Sequence, residues 1–299
     1  MRDRPATTAP RARGDERLAD RVSPVPAGIR ARIELLGGFR IVTESALASV
    51  PAGSERLLAF VALHADSVPR SVVAENLWPD VSECRAYGAL RSALNRLRGA
   101  GCRLLDAGPA DLTLAGGVGV DFQELRPLAR LLVDVAAPSS GTTEGLRLGA
   151  TEIDGLSRDL LPGWCDEWAL REAEEWRQLR MHALESLAAR FISAQYFGRA
   201  VVVAGAAVRA EPLRETARAV LIKAHLAEGN QSEALREFQR YRSLLQDELG
   251  LRPTARLLGL VADLRSAAAR CAGGSPERRG RVIHGQETPV THDAPVTPR

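Results

Sequence analysis

Residues 82–102, SECRAYGALRSALNRLRGAGC, split into two faces when wound as a helix. Ala86, Ala89, Leu90, Ala93, Leu94 and Leu97 share one side. Gly88, Arg91, Ser92 and Asn95 lie opposite, flanked by Arg85, Arg96 and Arg98. From Ser82 to Arg103, five arginines stand against one acid, Glu83. An apolar back with an Arg/Asn/Ser front suits a DNA major groove, where Arg pairs with guanine and Asn with adenine. The same pattern also describes an amphipathic surface helix with a solvated basic face. The neighbouring segments decide between the two.

Upstream, RIELLGG (32–38) and FRIVTE (39–44) are short β-rich runs, and Gly37–Gly38 between them predicts a tight hairpin. ALASVP (46–51) adds a weak third strand before Pro51 and Gly53 break the sheet. Ser54 is the expected cap of a helix, SERLLAFVALHA, with Leu57, Leu58, Val61 and Ala62 inward. His64, at its end, reads as structural. Pro69 sits in the first turn of a second helix, PRSVVAENLWPD, which ends at Trp78–Pro79 with Trp78 as a core anchor. Downstream, CRLLDA, a turn at Gly108-Pro109-Ala110 and DLTLAG form a hairpin. Strands, three helices and a terminal hairpin are the order of a winged helix, with the third helix as recognition element and the hairpin as wing. The wing tip, DAGPAD, holds no Arg or Lys, which leaves Arg103 or backbone amides for any phosphate contact there.

Val120-Asp121-Phe122 opens a helix, DFQELRPLARLLVDVA, with Pro127 early in it. After the loop PSSGTTEG, a long helix is expected over 166–195, with Trp168, Trp176, Leu179, Ala183, Leu187 and Phe191 as a core stripe. Residues 187–212 and 221–250 align at an offset of 34, pairing Leu187 with Leu221, Ala200 with Ala234 and Val201 with Leu235. That period is the tetratricopeptide signature, and stacked pairs of this kind leave a concave protein-binding surface. The expected fold is mainly α: a winged helix (α+β) followed by an all-α tetratricopeptide-like domain. The expected division is a disordered arm at 1–28, a winged helix at 29–120, a helical domain at 121–270 and a disordered tail at 271–299. The arm and tail are rich in Pro, Arg, Gly and Thr and poor in large apolar residues.

Composition narrows the function. The chain has 299 residues, 45% hydrophobic, with a net charge of only +3, so its basic character is local. Four cysteines at 84, 102, 165 and 271 are too scattered for a metal site and are expected to be reduced. Lys223 is the only lysine and follows no glycine-rich loop, which excludes a Walker-type nucleotide site. No nucleophile elbow, zinc-protease helix or dinucleotide fingerprint occurs. We therefore expect no catalytic residues, no metal and no cofactor. No apolar run is long enough to span a bilayer, so no membrane partner is expected.

LLGGFRIV, SVVAENLWPD and ALRSALNRLRGAG followed by a hairpin resemble the winged helix of OmpR-type regulators, in the form found in the actinomycete antibiotic regulatory proteins, the SARP family. LLPGWCDEW, EAEEWRQLRMHALE and the segment from Ala210 to Pro253 resemble the bacterial transcriptional activation domain of the same regulators. In place of the family's Gly-Tyr-x-Leu in the second wing strand stands Asp111-Leu112-Thr113-Leu114, and the usual basic residue before the first helix is missing. The resemblance implies a cytoplasmic transcriptional activator of a secondary-metabolite gene cluster. It would bind direct repeats in double-stranded promoter DNA as a homodimer and recruit RNA polymerase holoenzyme. On the recognition helix Arg91 and Asn95 would read base edges. Arg85, Ser92, Arg96 and Arg98, with Arg103 beyond, would meet phosphates or neighbouring bases. A protein-interaction scaffold whose winged helix does not read DNA is the alternative from another class.

Overall fold

The computed structural model describes residues 31–43, 47–98, 103–134 and 148–262. The expected arm at 1–28 and tail at 271–299 lie outside the described residues.

Strand β1 (Ala31–Glu34) pairs antiparallel with β2 (Arg40–Thr43), which pairs with β3 (Leu47–Ala48). The β1–β2 connection is wider than the tight hairpin expected from Gly37–Gly38. The last ladder pair is Glu34 with Arg40, leaving five residues, Leu35–Phe39, outside the ladder. Gly37 and Gly38 take φ of +81° and +129°, a region that side chains with a Cβ disfavour. The loop is wide because it binds another part of the chain. Leu36 forms a β-bridge with Leu160, the Gly37 N–H donates to the Asp159 carbonyl (2.7 Å), and the Leu161 N–H donates to the Leu35 carbonyl (2.9 Å).

Helix α1 (Ala52–Ala62) buries Leu57, Leu58, Val61 and Ala62 as expected. Ser54 is not its cap. Pro51, with φ fixed near the helical value, starts the helix, and its carbonyl accepts from the Ser54 and Glu55 N–H groups. Ser54 is buried inside the helix and its hydroxyl donates to the Ala93 carbonyl (3.2 Å). Strand β4 (Val68–Pro69) leads into α2 (Arg70–Leu77), followed by α3 (Glu83–Arg98) and the hairpin of β5 (Leu105–Ala107) and β6 (Asp111–Leu114). Two short strands escaped the sequence reading. β4 pairs with β6 and makes the wing a three-stranded sheet, and β7 (Val118–Val120) lies parallel to β1 at the edge of the first sheet. Neither is long enough to show a period-two pattern.

The remainder is helical: α4 (Asp121–Asp134), α5 (Ala150–Leu156), α6 (Glu167–Ser193), α7 (Phe197–Ala210), α8 (Glu215–Glu228), α9 (Gln231–Leu249) and α10 (Ala255–Leu260). The expected repeat is α6–α7 followed by α8–α9. Ala200 and Ala234 are both fully buried, where a larger side chain would push the paired helices apart. Gly229 and Gly250 end α8 and α9 in the left-handed conformation that a C-terminal cap requires. In the α6 stripe Trp168, Trp176, Ala183, Leu187 and Phe191 are buried and Leu179 is half-buried. Arg180 is buried among them. Its guanidinium donates to the Ser157 carbonyl (2.9 Å) and pairs with Asp159, while burial holds its pKa below the ordinary arginine value.

One hydrophobic core runs through both halves, from Ile33 and Leu57 to Leu187 and Ala204. The seam is aromatic. Trp168 meets Phe60 edge-on at 5.2 Å and Trp164 at 5.8 Å, Trp164 meets Phe39 at 6.0 Å, and Phe122 meets Trp176 at 5.5 Å. Beside it the Arg56 guanidinium pairs with Asp166 and donates to the Leu77 carbonyl (3.0 Å). Asp121, the first residue of α4, is buried and accepts from the N–H groups of Leu35 (2.8 Å), Leu36 (3.1 Å) and Phe122 (2.7 Å).

Burial pushes the Asp121 carboxyl up to about 6, against the three N–H donors and the Arg32 charge. The folded state therefore holds this proton more tightly than the unfolded chain. Asp121 contributes a stability that is present below the unfolded pKa of 3.8 and is lost as pH rises through about 6. Urea melts between these pH values should show that decline in the wild type and not in Asp121→Asn. Asp121→Ala orphans three N–H groups and should cost about 3 kcal/mol or more. A fragment ending at residue 120 exposes Phe60, Leu35 and Leu36 and should lack a cooperative thermal transition by circular dichroism.

Candidate nucleic-acid interface

Helix α3 carries the split read from its sequence. Ala86, Leu90, Ala93, Leu94 and Leu97 are buried, Ala89 is half-buried, and Arg85, Arg91, Ser92, Asn95, Arg96 and Arg98 are exposed. The apolar stripe packs on α1 and α2, and this fixes which side faces out. Arg91 and Asn95 are one turn apart on the outward face. Ser92 donates its hydroxyl to the Gly88 carbonyl (3.0 Å), which leaves the oxygen as an acceptor.

The arginines separate by surroundings. Among the described residues, no carboxylate pairs with Arg85, Arg91, Arg96 or Arg98. Arg96 is set apart from the others. Its guanidinium lies against the start of α1, 3.3 Å from where a Cβ on Gly53 would stand. Arg103 is 80% exposed and its Nε donates to Asp106 at 2.6 Å, so part of its charge is answered within the wing. An exposed pair of this kind is weak and can be exchanged for another anion. The structure thus brings Arg91, Ser92, Asn95 and Arg98 together on α3, turns Arg96 toward α1 and holds Arg103 at the base of the wing. The sequence reading missed Arg70, which opens α2 and is carried to the wing turn by β4. A two-residue strand beginning at Val68–Pro69 left no pattern to find it by.

The two faces of α3 predict opposite mutational behaviour. Leu90→Ala should destabilise the protein by about 2–5 kcal/mol. Arg91→Ala should stay within about 0.5 kcal/mol in denaturant unfolding, with an unchanged circular dichroism spectrum.

Among the described residues no helix is long and apolar enough to cross a membrane. Residues 154–265 match the family model described as Bacterial transcriptional activator domain, inside the span assigned to the helical domain. Among solved structures the chain is similar to Mycobacterium tuberculosis EmbR in complex with a low affinity phosphopeptide, at 19% identity and a TM-score of 0.52. That likeness covers 82% of this chain and 69% of that one, and it carries the fold. No curated protein matches. The chain thus joins an N-terminal half with the element order of a winged helix to a region that matches the bacterial transcriptional activator domain, the build of a transcription regulator.

Proposed function

We propose that this regulator activates transcription by setting α3 into the major groove of double-stranded promoter DNA. The observation that carries the reading is the outward face of α3, where arginines without carboxylate partners surround Asn95 on a helix whose other side is locked into the core. Arg91 and Asn95 read base edges, because their geometry suits guanine and adenine. Arg85, Ser92 and Arg98 meet the flanking backbone. Arg96 swings from the start of α1 and Arg103 trades Asp106 for phosphate. Phosphate contacts supply most of the affinity and the base contacts the specificity.

The helical domain is the surface that engages RNA polymerase holoenzyme. A homodimer sits on direct repeats, and the target is an antibiotic or other secondary-metabolite gene cluster. This reading puts the protein in the cytoplasm, at the nucleoid when bound. It rests on the match to the activator domain, on the resemblance of the sequence to the SARP regulators and on the face of α3 without carboxylate partners.

The test is a footprint and salt titration on DNA flanking the protein's own gene. A protected repeat is expected, with binding that weakens linearly in log salt. Arg91→Ala should lose about 1–3 kcal/mol on that site and little on unrelated duplex. Absence of binding to any fragment at low salt would overturn the reading in favour of a protein-interaction scaffold.

A further inference from the structure

The strands and turn of the wing carry no cation of their own. From Leu105 to Leu114 it holds Asp106 and Asp111 and neither Arg nor Lys, and Arg103 precedes the first strand, at the base and not at the turn. The fold brings a cation to it from elsewhere. Strand β4 pairs Val68 with Leu112 and Pro69 with Asp111, and the next N–H, that of Arg70, donates to the Ala110 carbonyl in the wing turn (2.9 Å). Arg70 is therefore anchored by its own backbone to the turn of the wing, although about 40 residues separate them in sequence.

Three further features mark its side chain as available. Arg70 is half-buried, and its Nε is enclosed without an acceptor. The enclosed Nε leaves the terminal guanidinium nitrogens as the atoms that can meet an anion, and among the described residues no carboxylate pairs with them. The nearby acid does not answer it: the Asp111 carboxylate folds back over Gly108 in the wing turn and forms no ion pair. The start of α2 is also electrostatically bare, since Pro69 supplies no side-chain cap and the first turn contains no acid. The positive end of the helix dipole and the Arg70 charge add in the same place.

We infer that Arg70, at the junction of α2 and the wing turn, clamps a backbone phosphate of the bound duplex and supplies the positive charge that the wing turn lacks. The inference rests on the DNA-binding reading of α3 and adds a contact to it. Arg70 positions the protein on the backbone and reads no base.

Binding of the full chain to short fluorescently labelled duplexes, one carrying the footprinted repeat and one of unrelated sequence, is measured across a salt series. Arg70→Ala should weaken both complexes several-fold and equally, and should lower the slope of log affinity against log salt by about 0.9. Arg70→Lys should keep the slope, because a lysine still neutralises one phosphate. Arg91→Ala should lose the repeat selectively. If Arg70→Ala shows a lowered melting temperature, Arg70→Gln, which keeps a donor and drops the charge, should reproduce the loss of slope. An unchanged slope in the uncharged variants, with Arg91-dependent binding to the repeat intact, would overturn the Arg70 inference alone. Failure of the wild type to bind any duplex would overturn the DNA-binding reading, and Arg70 with it.

Discussion

The Asp121 carboxylate is the joint on which the two halves turn. It sits at the first position of α4 and accepts from the backbone of Leu35 and Leu36, at the end of β1, as well as from Phe122. A single side chain thus satisfies the N–H groups that leave the first sheet and one that starts the helical half. The arrangement is costly in charge, since burial raises the carboxyl to about 6. It is held because those N–H groups have no water to turn to. Once β1 is fixed to α4, the loop beyond it is presented to Leu160, and the bridge and its flanking hydrogen bonds follow.

This joint shapes what the protein can do. Phe39 and Phe60, from the N-terminal half, pack on Trp164, just before α6, and Trp168, in its first turn. A tethered DNA-binding domain would swing on a linker and leave its partner surface free to wander. Here α3 and the helical repeats share one core, so the direction of the outward face of α3 is fixed relative to the helical half.

Much of this was legible along the chain. The order of strands, three helices and hairpin, the two faces of α3 and the repeat of helix pairs all depend on local periodicity, and each appears where expected. The places where the sequence reading failed have one cause. Ser54 looked like a cap because its hydroxyl could satisfy a helix terminus, but the carbonyl of Ala93 claimed that hydroxyl and Pro51 started the helix. Gly37–Gly38 looked like a tight hairpin, but the loop opened to meet residues 159–161. β4 and β7 exist only through the strands beside them, and Arg180 is buried only because a segment 21 residues earlier in the chain supplies its partner Asp159.

The amino-acid order by itself determined which segments are helices, which side of α3 is apolar and which side carries Arg91 and Asn95, because side chains three and four residues apart must share a face. Tertiary structure alone decided where those arginines find themselves. Arg96 leans on α1, Arg103 turns to Asp106, and Arg70 arrives at the wing turn. The physical reason is reach: periodicity acts over a turn or two of chain, whereas ion pairing and backbone pairing act between atoms that only folding brings within a few ångströms.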